Sequence, residues 1–209
     1  ILCGSQKISL HLKTKDFFLT KENFKINKCL NCDFKFTVSA PDKTVIDKYY
    51  KSQEYLSHNQ KKSFISWVYN LIKEKNISNK IKIIKKHTTI GSLLDIGCGK
   101  GDFLKKMKKN TWNVFGLENN VLAQKISKKI TNNIFTSLNE EKLKNQKFDL
   151  ITFWHSLEHI HDINIFFAKC IHKLNKNGTI IIAVPNNNSY DAKHYKQYWA
   201  AYDLPIHLY

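Results

Sequence analysis

A glycine-rich turn after an apolar run is the feature that most constrains this 209-residue chain. The apolar run 93–96 leads into Gly97-Cys98-Gly99-Lys100-Gly101, and an amphipathic stretch follows. This pattern is typical of a buried strand, a tight turn and a helix whose N-terminus cradles a ligand. Gly97 and Gly99 permit backbone angles and a close approach that a Cβ would forbid. Asp95 falls at the carboxyl end of the predicted strand, where open α/β sheets bind ligands.

The spacing of the acidic residues and glycines indicates the class of cofactor. A second apolar run, 114–117, ends at Glu118, where a carboxylate can accept hydrogen bonds from both hydroxyls of a ribose. A dinucleotide-binding turn has the spacing G-x-G-x-x-G, which would put its third glycine at Asp102. A negative charge at that helix start repels a pyrophosphate. A cofactor with a cationic sulfonium and an amino group fits this acidic loop better.

The motif Asp95-x-Gly97-x-Gly99-x-Gly101 followed by Glu118 resembles the class I S-adenosylmethionine-dependent methyltransferases. The resemblance implies a methyltransferase that binds S-adenosylmethionine and releases S-adenosylhomocysteine. It places the adenine beside Ser137-Leu138, and we expect Trp154 to pack against the methionine part. The resemblance assigns these residues to the cofactor: Asp95, Gly97, Cys98, Gly99, Gly101, Phe103, Glu118, Asn119, Ser137, Leu138, Trp154 and His155.

Strands alternate with helices after residue 91. The predicted strands are 92–96, 113–117, 133–136, 148–153 and 179–184, and the predicted helices are 101–109, 120–130, a short one at 141–143 capped by Asn139, and 163–174. This alternation predicts an α/β fold with a doubly wound, mostly parallel Rossmann-like sheet of strand order 3-2-1-4-5. The resembled family adds two more strands, so we expect the natural protein to continue beyond Tyr209.

The chain is predicted to have three parts. Residues 1–40 form a zinc-ribbon-like segment, residues 41–90 a helical cap or linker, and residues 91–209 the C-terminally incomplete cofactor-binding domain. In the cap, Tyr49-Tyr50-Lys51-Ser52, Tyr55, Ser57 and His58 precede aromatic and apolar residues that recur at helical spacing, such as Trp67 and Leu71. These residues either cover the cofactor or acceptor, or pack the cap helices onto the sheet.

The N-terminal segment carries a possible metal site. Cys29-Leu-Asn-Cys32 is a C-x-x-C pair, and Cys3-Gly4 lies upstream. The pattern predicts a structural zinc on Cys3, Cys29 and Cys32, with His11 or a cysteine just before Ile1 as fourth ligand. In the alternative, these cysteines are small core residues. Short strands are expected around 17–19 and 24–26. The segment is similar to the ribbon that precedes the catalytic domain in a group of bacterial methyltransferases.

The turn after the fourth predicted strand contains candidate catalytic residues. His155, Glu158 and His159 have the spacing i, i+3, i+4 and share one face if this stretch is a helical turn. His155 can be a general base, the three residues can bind a divalent cation, or Glu158 and His159 can simply tie the loop in place. The turn resembles that of the quinone-biosynthesis O-methyltransferases, which carry a carboxylate where this chain has His155.

The last segment is rich in aromatic residues, including Tyr195, Tyr198, Trp199 and Tyr202. It resembles the W-x-x-x-D-x-P-R-H stretch of the same bacterial methyltransferase group, with Ile206 in place of the arginine. His207 is the second candidate base. The aromatic residues either pack the segment or recognise an acceptor.

Composition and net charge limit the classes of function that the chain can have. The net charge is +17, but the lysines are spread along the whole chain, so we expect no dedicated nucleic-acid surface. We also expect no membrane span, and the odd number of five cysteines indicates reduced thiols and a cytoplasmic protein. The predicted acceptor is a small or carbohydrate-like molecule, methylated on oxygen or carbon. The alternatives are an RNA-modifying methyltransferase and a non-catalytic binding protein with the same fold; the oligomeric state stays open.

Overall fold

A computed structural model of the chain describes residues 2–42, 44–46, 49 and 64–209. The chain forms two compact units: one comprises Ile1–Gln60, Glu158–Asn164 and Pro185–Tyr209, the other Lys61–Leu157 and Ile165–Val184. This grouping differs from the division into three segments predicted above, which stays a prediction. Within the described ranges, no helix is long and apolar enough to cross a bilayer.

The Lys61–Leu157 and Ile165–Val184 unit contains a parallel five-stranded sheet. Its strands are β4 (Ser92–Ile96), β5 (Asn113–Leu117), β6 (Ile134–Phe135), β7 (Phe148–Trp154) and β8 (Leu174–Ala183). The spatial order is β6-β5-β4-β7-β8, which confirms both the predicted α/β fold class and the predicted strand order. Asp95 of β4 lies in register with Gly116 of β5 on one side and with Thr152 of β7 on the other.

Helix α1 (Phe64–His87) precedes β4 in the chain. Three further helices lie between successive strands of the sheet: α2 (Asp102–Lys109), α3 (Val121–Ser127) and α4 (Ile163–His172). Helix α1 buries Ile77, Ile81 and Ile84 in the core that Leu104 and Met107 of α2 also enter. Its earlier apolar side chains at Trp67 and Leu71 are exposed by about half. The predicted cap residues Tyr50–His58 lie outside the described part of the chain.

Three predicted boundaries are corrected. Strand β8 begins at Leu174 rather than at residue 179, because Leu174 already pairs with Phe148; residues 175–178, which include the expected Asn177-Gly178 turn, form a register irregularity before Thr179 pairs with Leu150. Helix α3 ends at Ser127, three residues before the predicted 130. Asn139 does not cap the short helix at 141–143; Glu140 precedes that helix, and its carboxylate accepts hydrogen bonds from the Thr136 and Ser137 N–H groups.

The other unit contains an antiparallel sheet of order β1-β2-β3, formed by β1 (Ile8–Lys15), β2 (Asn23–Cys29) and β3 (Lys35–Val38). The strand expected around 17–19 is instead a turn, because the buried Asp16 carboxylate accepts hydrogen bonds from the N–H groups of residues 18, 19 and 20. A short helix, α5 (Tyr190–Tyr195), precedes the final segment. That segment contacts β3, since the Thr37 N–H donates to the Leu208 carbonyl at 2.9 Å.

Candidate functional site

The turn between β4 and α2 is held by the end of the neighbouring strand. The N–H groups of Gly97 and Cys98 both donate to the Leu117 carbonyl, at 2.8 and 3.0 Å. Gly97 has φ +73°, and a Cβ there would lie 2.6 Å from the Cβ of Ser156. Gly99 has φ +54°, and no described atom lies within 4 Å of the position its Cβ would take. Glycine is therefore required at position 97 and favoured at position 99, and the space next to Gly99 is open to a ligand.

Glu118 joins the glycine turn to the loop after β5. Its Oε2 accepts a hydrogen bond from the Gly99 N–H at 2.8 Å, and its Oε1 accepts one from the Asn120 N–H, also at 2.8 Å. A carboxylate offers about four lone-pair sites, so about two remain for other donors. The half-buried Glu118 carboxylate can thus bind a diol without releasing either loop.

Asp95 is buried at the carboxyl end of β4, with only 3% of its surface exposed. Its Oδ1 accepts a 2.7 Å hydrogen bond from the Thr152 hydroxyl. Burial raises the pKa of this carboxyl to about 7, although the Thr152 hydroxyl and the positive charge of Lys80 act in the opposite direction. A buried carboxylate with this pKa favours a cationic ligand, because the cation offsets the cost of burying the negative charge.

Two aromatic side chains and one lysine form a second part of the candidate site. Phe103 of α2 packs edge-on against Trp154 of β7, with 5.8 Å between ring centroids. The ammonium of Lys80 in α1 lies 4.5 Å from the centroid of a Trp154 ring, so that ring already attracts a cation. Burial lowers the pKa of Lys80, and Asp95 acts to raise it. The Trp154 Nε1–H group is buried and no described residue accepts its hydrogen, so a bound ligand can supply an acceptor.

The remaining predicted cofactor residues belong to the same unit. The Cys98 side chain is buried, and burial raises the pKa of its thiol. Gly101, with φ +81°, is the N-cap of α2. Asn119 is exposed directly after Glu118, and Leu138 is buried beside the half-buried Ser137. These positions are consistent with the predicted cofactor residues, whose roles stay a proposal.

The predicted face of His155, Glu158 and His159 does not form. The helical turn comprises only Leu157–His159, and His155 precedes it with φ +57°, its N–H bonded to the Ala183 carbonyl at 2.9 Å. His155 is exposed at the end of β7. In the other unit, Glu158 and His159 are instead grouped with His207, the second predicted base. Burial, followed by the nearby charge of His207, lowers the pKa of His159.

The structure brings Cys3, Cys29 and Cys32 together, with their sulfur atoms within 4.8 Å of one another. The Asn31 N–H donates to the Cys29 sulfur at 3.4 Å, and the Asn31 side chain donates to the Cys3 sulfur at 3.7 Å. Hydrogen bonds, led by that of the Ser5 backbone, lower the pKa of Cys3 to about 7. His11 lies at the irregularity between Leu10 and Leu12 of β1 and is not a member of this cluster, so it is not the expected fourth ligand.

Thr152 and Lys80 belong to the candidate site but were not predicted from the sequence. Thr152 is fully buried, and its hydroxyl donates a hydrogen bond to the Asp95 carboxylate. A threonine inside a buried apolar strand, directly before the aromatic pair 153–154, was a signal that could have identified it. Lys80 had no comparable signal, since it is one of many lysines in the 73–86 stretch.

Comparisons with known proteins agree with this geometry. A family model described as a methyltransferase domain matches residues 52–208. The ubiquinone biosynthesis O-methyltransferase of Pelagibacter ubique is 33% identical over 123 residues, which cover 56% of this chain and 50% of that protein. The protein of the same name from Bradyrhizobium diazoefficiens is 26% identical over 102 residues, covering 46% of this chain and 40% of its own length. The chain thus spans half or less of the length of these curated relatives.

Solved structures show the same fold. A SAM-dependent methyltransferase from Archaeoglobus fulgidus superimposes with a TM-score of 0.51 at 25% identity, covering 68% of this chain and 66% of that one. The plantazolicin methyltransferase BpumL gives a TM-score of 0.50 at 18% identity, covering 78% of this chain and 65% of its own; this second likeness concerns the fold alone.

The raised pKa of Asp95 predicts a pH-dependent stability. With a folded pKa of about 7 against an ordinary 3.8, the folded chain holds a proton that the unfolded chain releases, so stability falls as pH rises through this window. Asp95→Asn removes this loss. Measured by urea denaturation, its free energy of unfolding relative to the wild type should therefore rise by about 2–3 kcal/mol between about pH 5 and about pH 8.

Asp149→Asn is the control for this measurement. Hydrogen bonds, led by that of the Ser92 N–H, lower the pKa of Asp149, so its contribution is complete above the ordinary value and is lost only at lower pH. Its difference from the wild type should stay flat over the same range. A flat difference for Asp95→Asn as well would contradict a raised pKa for the buried Asp95 carboxyl.

Proposed function

The chain belongs to the methyltransferase-domain family, and on this basis we propose that it transfers a methyl group from S-adenosylmethionine to an oxygen or carbon atom of a small-molecule or carbohydrate-like acceptor. One observation carries the proposal: the Glu118 carboxylate accepts the Gly99 N–H and still has acceptor sites beside the open space at Gly99. A nucleoside with two adjacent hydroxyls fits a carboxylate placed in this way.

The charges of the site favour this cofactor over a dinucleotide. Asp95 lies near the end of β4, Glu118 follows the neighbouring parallel strand β5, and Asp102 begins helix α2. A pyrophosphate would meet three carboxylates there, whereas an amino group and a sulfonium are attracted to them. Bound S-adenosylmethionine supplies a methyl group on a cationic sulfur atom.

Lys80 and Trp154 complete the proposed cofactor site. We assign the Lys80 ammonium to the binding of the carboxylate in the cofactor's methionine part. This ammonium lies over the Trp154 ring and interacts electrostatically with Asp95. The buried Trp154 N–H can donate a hydrogen bond in the same region. These groups fix the cofactor's position, which is the main requirement for an in-line methyl transfer.

His155 is the proposed general base. Its left-handed backbone conformation at the end of β7 and its exposed side chain support a role in taking a proton from an acceptor hydroxyl. An acceptor with an acidic hydroxyl requires little help from such a base. The names of the two curated relatives, ubiquinone biosynthesis O-methyltransferases, support an oxygen atom as the methylated position.

We also propose a structural zinc ion on Cys3, Cys29 and Cys32. Their sulfur atoms lie within 4.8 Å of one another, and the N–H···S hydrogen bonds of Asn31 stabilise thiolates there. Three thiolates fill three of the four positions of a tetrahedral zinc site. The ion would join the turn after β2 to the N-terminal residues before β1.

Removing the Glu118 carboxylate tests the cofactor proposal. Glu118→Ala should weaken S-adenosylhomocysteine binding by about 1–3 kcal/mol, or about 5- to 150-fold in Kd, because hydrogen bonds to a charged group are lost. Isothermal titration calorimetry measures the change. Glu141→Ala, which alters a carboxylate whose side chain is 85% exposed, is the control and should bind as the wild type does. Equal affinities in both variants would refute the assigned role of Glu118.

The zinc proposal is tested separately by elemental analysis of purified protein. Cys29→Ser should lose about one zinc ion per chain, because a thiolate ligand is removed. Cys170→Ser, which alters a buried cysteine outside the cluster, should keep its zinc. The same zinc content in both variants and the wild type would exclude the thiolate site.

A further inference from the structure

Two imidazoles and one carboxylate meet in the unit that contains the antiparallel sheet. Glu158, His159 and His207 each contribute one potential ligand atom, and these atoms lie within 4.8 Å of one another. The two rings stand edge to face, with centroids 4.8 Å apart. Glu158 is only 2% exposed, and both histidines are partly buried. A carboxylate beside two imidazoles is a combination of ligand atoms that divalent transition metals bind.

Backbone hydrogen bonds fix the tautomer of both rings. The Nδ1 atom of His159 lies 3.0 Å from the Ile206 carbonyl oxygen, and the Nδ1 atom of His207 lies 2.8 Å from the Ala201 carbonyl oxygen. A carbonyl oxygen can only accept, so each Nδ1 carries a proton. The lone pair of each neutral ring is then on Nε2, which is the nitrogen that can bind a metal. Histidine ligands of metals are commonly oriented by such a bond from the other ring nitrogen.

The backbone around the cluster is held on several sides. The Leu208 N–H donates to the Glu158 carbonyl at 2.8 Å, and the Thr37 hydroxyl donates to the His207 carbonyl at 2.8 Å. Ile206 and Leu208, the two neighbours of His207 in the chain, are both buried. The three side chains are therefore presented by a packed scaffold rather than by a mobile loop, as a preorganised ligand set requires.

We propose that Glu158, His159 and His207 bind one divalent transition-metal ion, with zinc as the reference ion. Imidazole nitrogen suits zinc, iron, nickel and copper, whereas magnesium and calcium prefer oxygen ligands alone. Ligands about 2.1 Å from a tetrahedral ion lie roughly 3.4 Å apart, so small side-chain rotations bring the three atoms into range. Three protein ligands leave at least one coordination position for water or another oxygen ligand. The inference is independent of the cofactor proposed above.

Metal binding to the chelator-treated full chain tests the proposal, with cobalt(II) as a spectroscopic probe and no cofactor present. The wild type should bind a Co²⁺ ion whose visible absorption is that of nitrogen and oxygen ligands, in addition to any Co²⁺ at the cysteine cluster, which is identified by its thiolate charge-transfer band. Glu158→Gln and His207→Ala should each weaken this binding by about tenfold or more while leaving any thiolate band unchanged. His194→Ala, which alters an exposed histidine of α5, should behave as the wild type. Excess Mg²⁺ should not displace the ion.

A second measurement needs no substitution at the site. Nitrogen-15 spectra of the wild-type histidine rings should show His159 and His207 protonated on Nδ1, and added Zn²⁺ should shift the Nε2 signals of both. Cobalt binding that is equal in the wild type and His207→Ala, or Nε2 signals that do not respond to Zn²⁺, would overturn the proposal. Failure of S-adenosylhomocysteine to bind would affect only the proposed methyl transfer, since no cofactor enters this experiment.

Discussion

The hydrogen bonds of Glu118 connect the two loops on which the candidate cofactor site depends. Strands β4 and β5 pair in parallel register, so Ile96 and Leu117 end side by side and their following loops meet. The Leu117 carbonyl accepts two N–H groups of the glycine turn, and the Glu118 carboxylate accepts a third while also binding the loop that starts α3. The turn is therefore shaped by its neighbour strand before any ligand binds, which lowers the conformational cost of binding.

Much of this part of the molecule is predictable because its determinants are local. The bounds of β4 and β5 were predicted correctly, since each is a short apolar run that turn-forming residues terminate. The strand order followed from the alternation of strands and helices together with right-handed crossovers. Once that order is given, Asp95 and Glu118 must lie at the carboxyl ends of adjacent strands. The methyltransferase-domain family model matches residues 52–208, in agreement with the methyltransferase resemblance predicted from the glycine turn and its acidic residues.

Features set by long-range contacts were not predictable from the sequence. Lys80 contacts the Trp154 ring, but it belongs to a helix whose several lysines cannot be told apart from the sequence. The burial of Ile77, Ile81 and Ile84 determines which face of that helix is packed, and therefore where Lys80 lies. Glu158 and His159 meet His207 from a distant part of the chain through backbone pairing that carries no sequence signal. The positive φ of His155 likewise prevents the expected helical face of His155, Glu158 and His159 from forming. Helix periodicity in the sequence carries no information about such a backbone angle.

We propose that the acidic glycine turn selects S-adenosylmethionine rather than a dinucleotide. Calorimetric titration of the wild-type chain with S-adenosylhomocysteine and, in parallel, with NAD⁺ tests it most directly. We expect saturable binding of about one S-adenosylhomocysteine per chain with a micromolar Kd, a binding free energy of about −8 kcal/mol, and no heat of binding with NAD⁺. Binding of NAD⁺ in preference to S-adenosylhomocysteine would contradict the assignment of Asp95, Asp102 and Glu118 to a cationic cofactor.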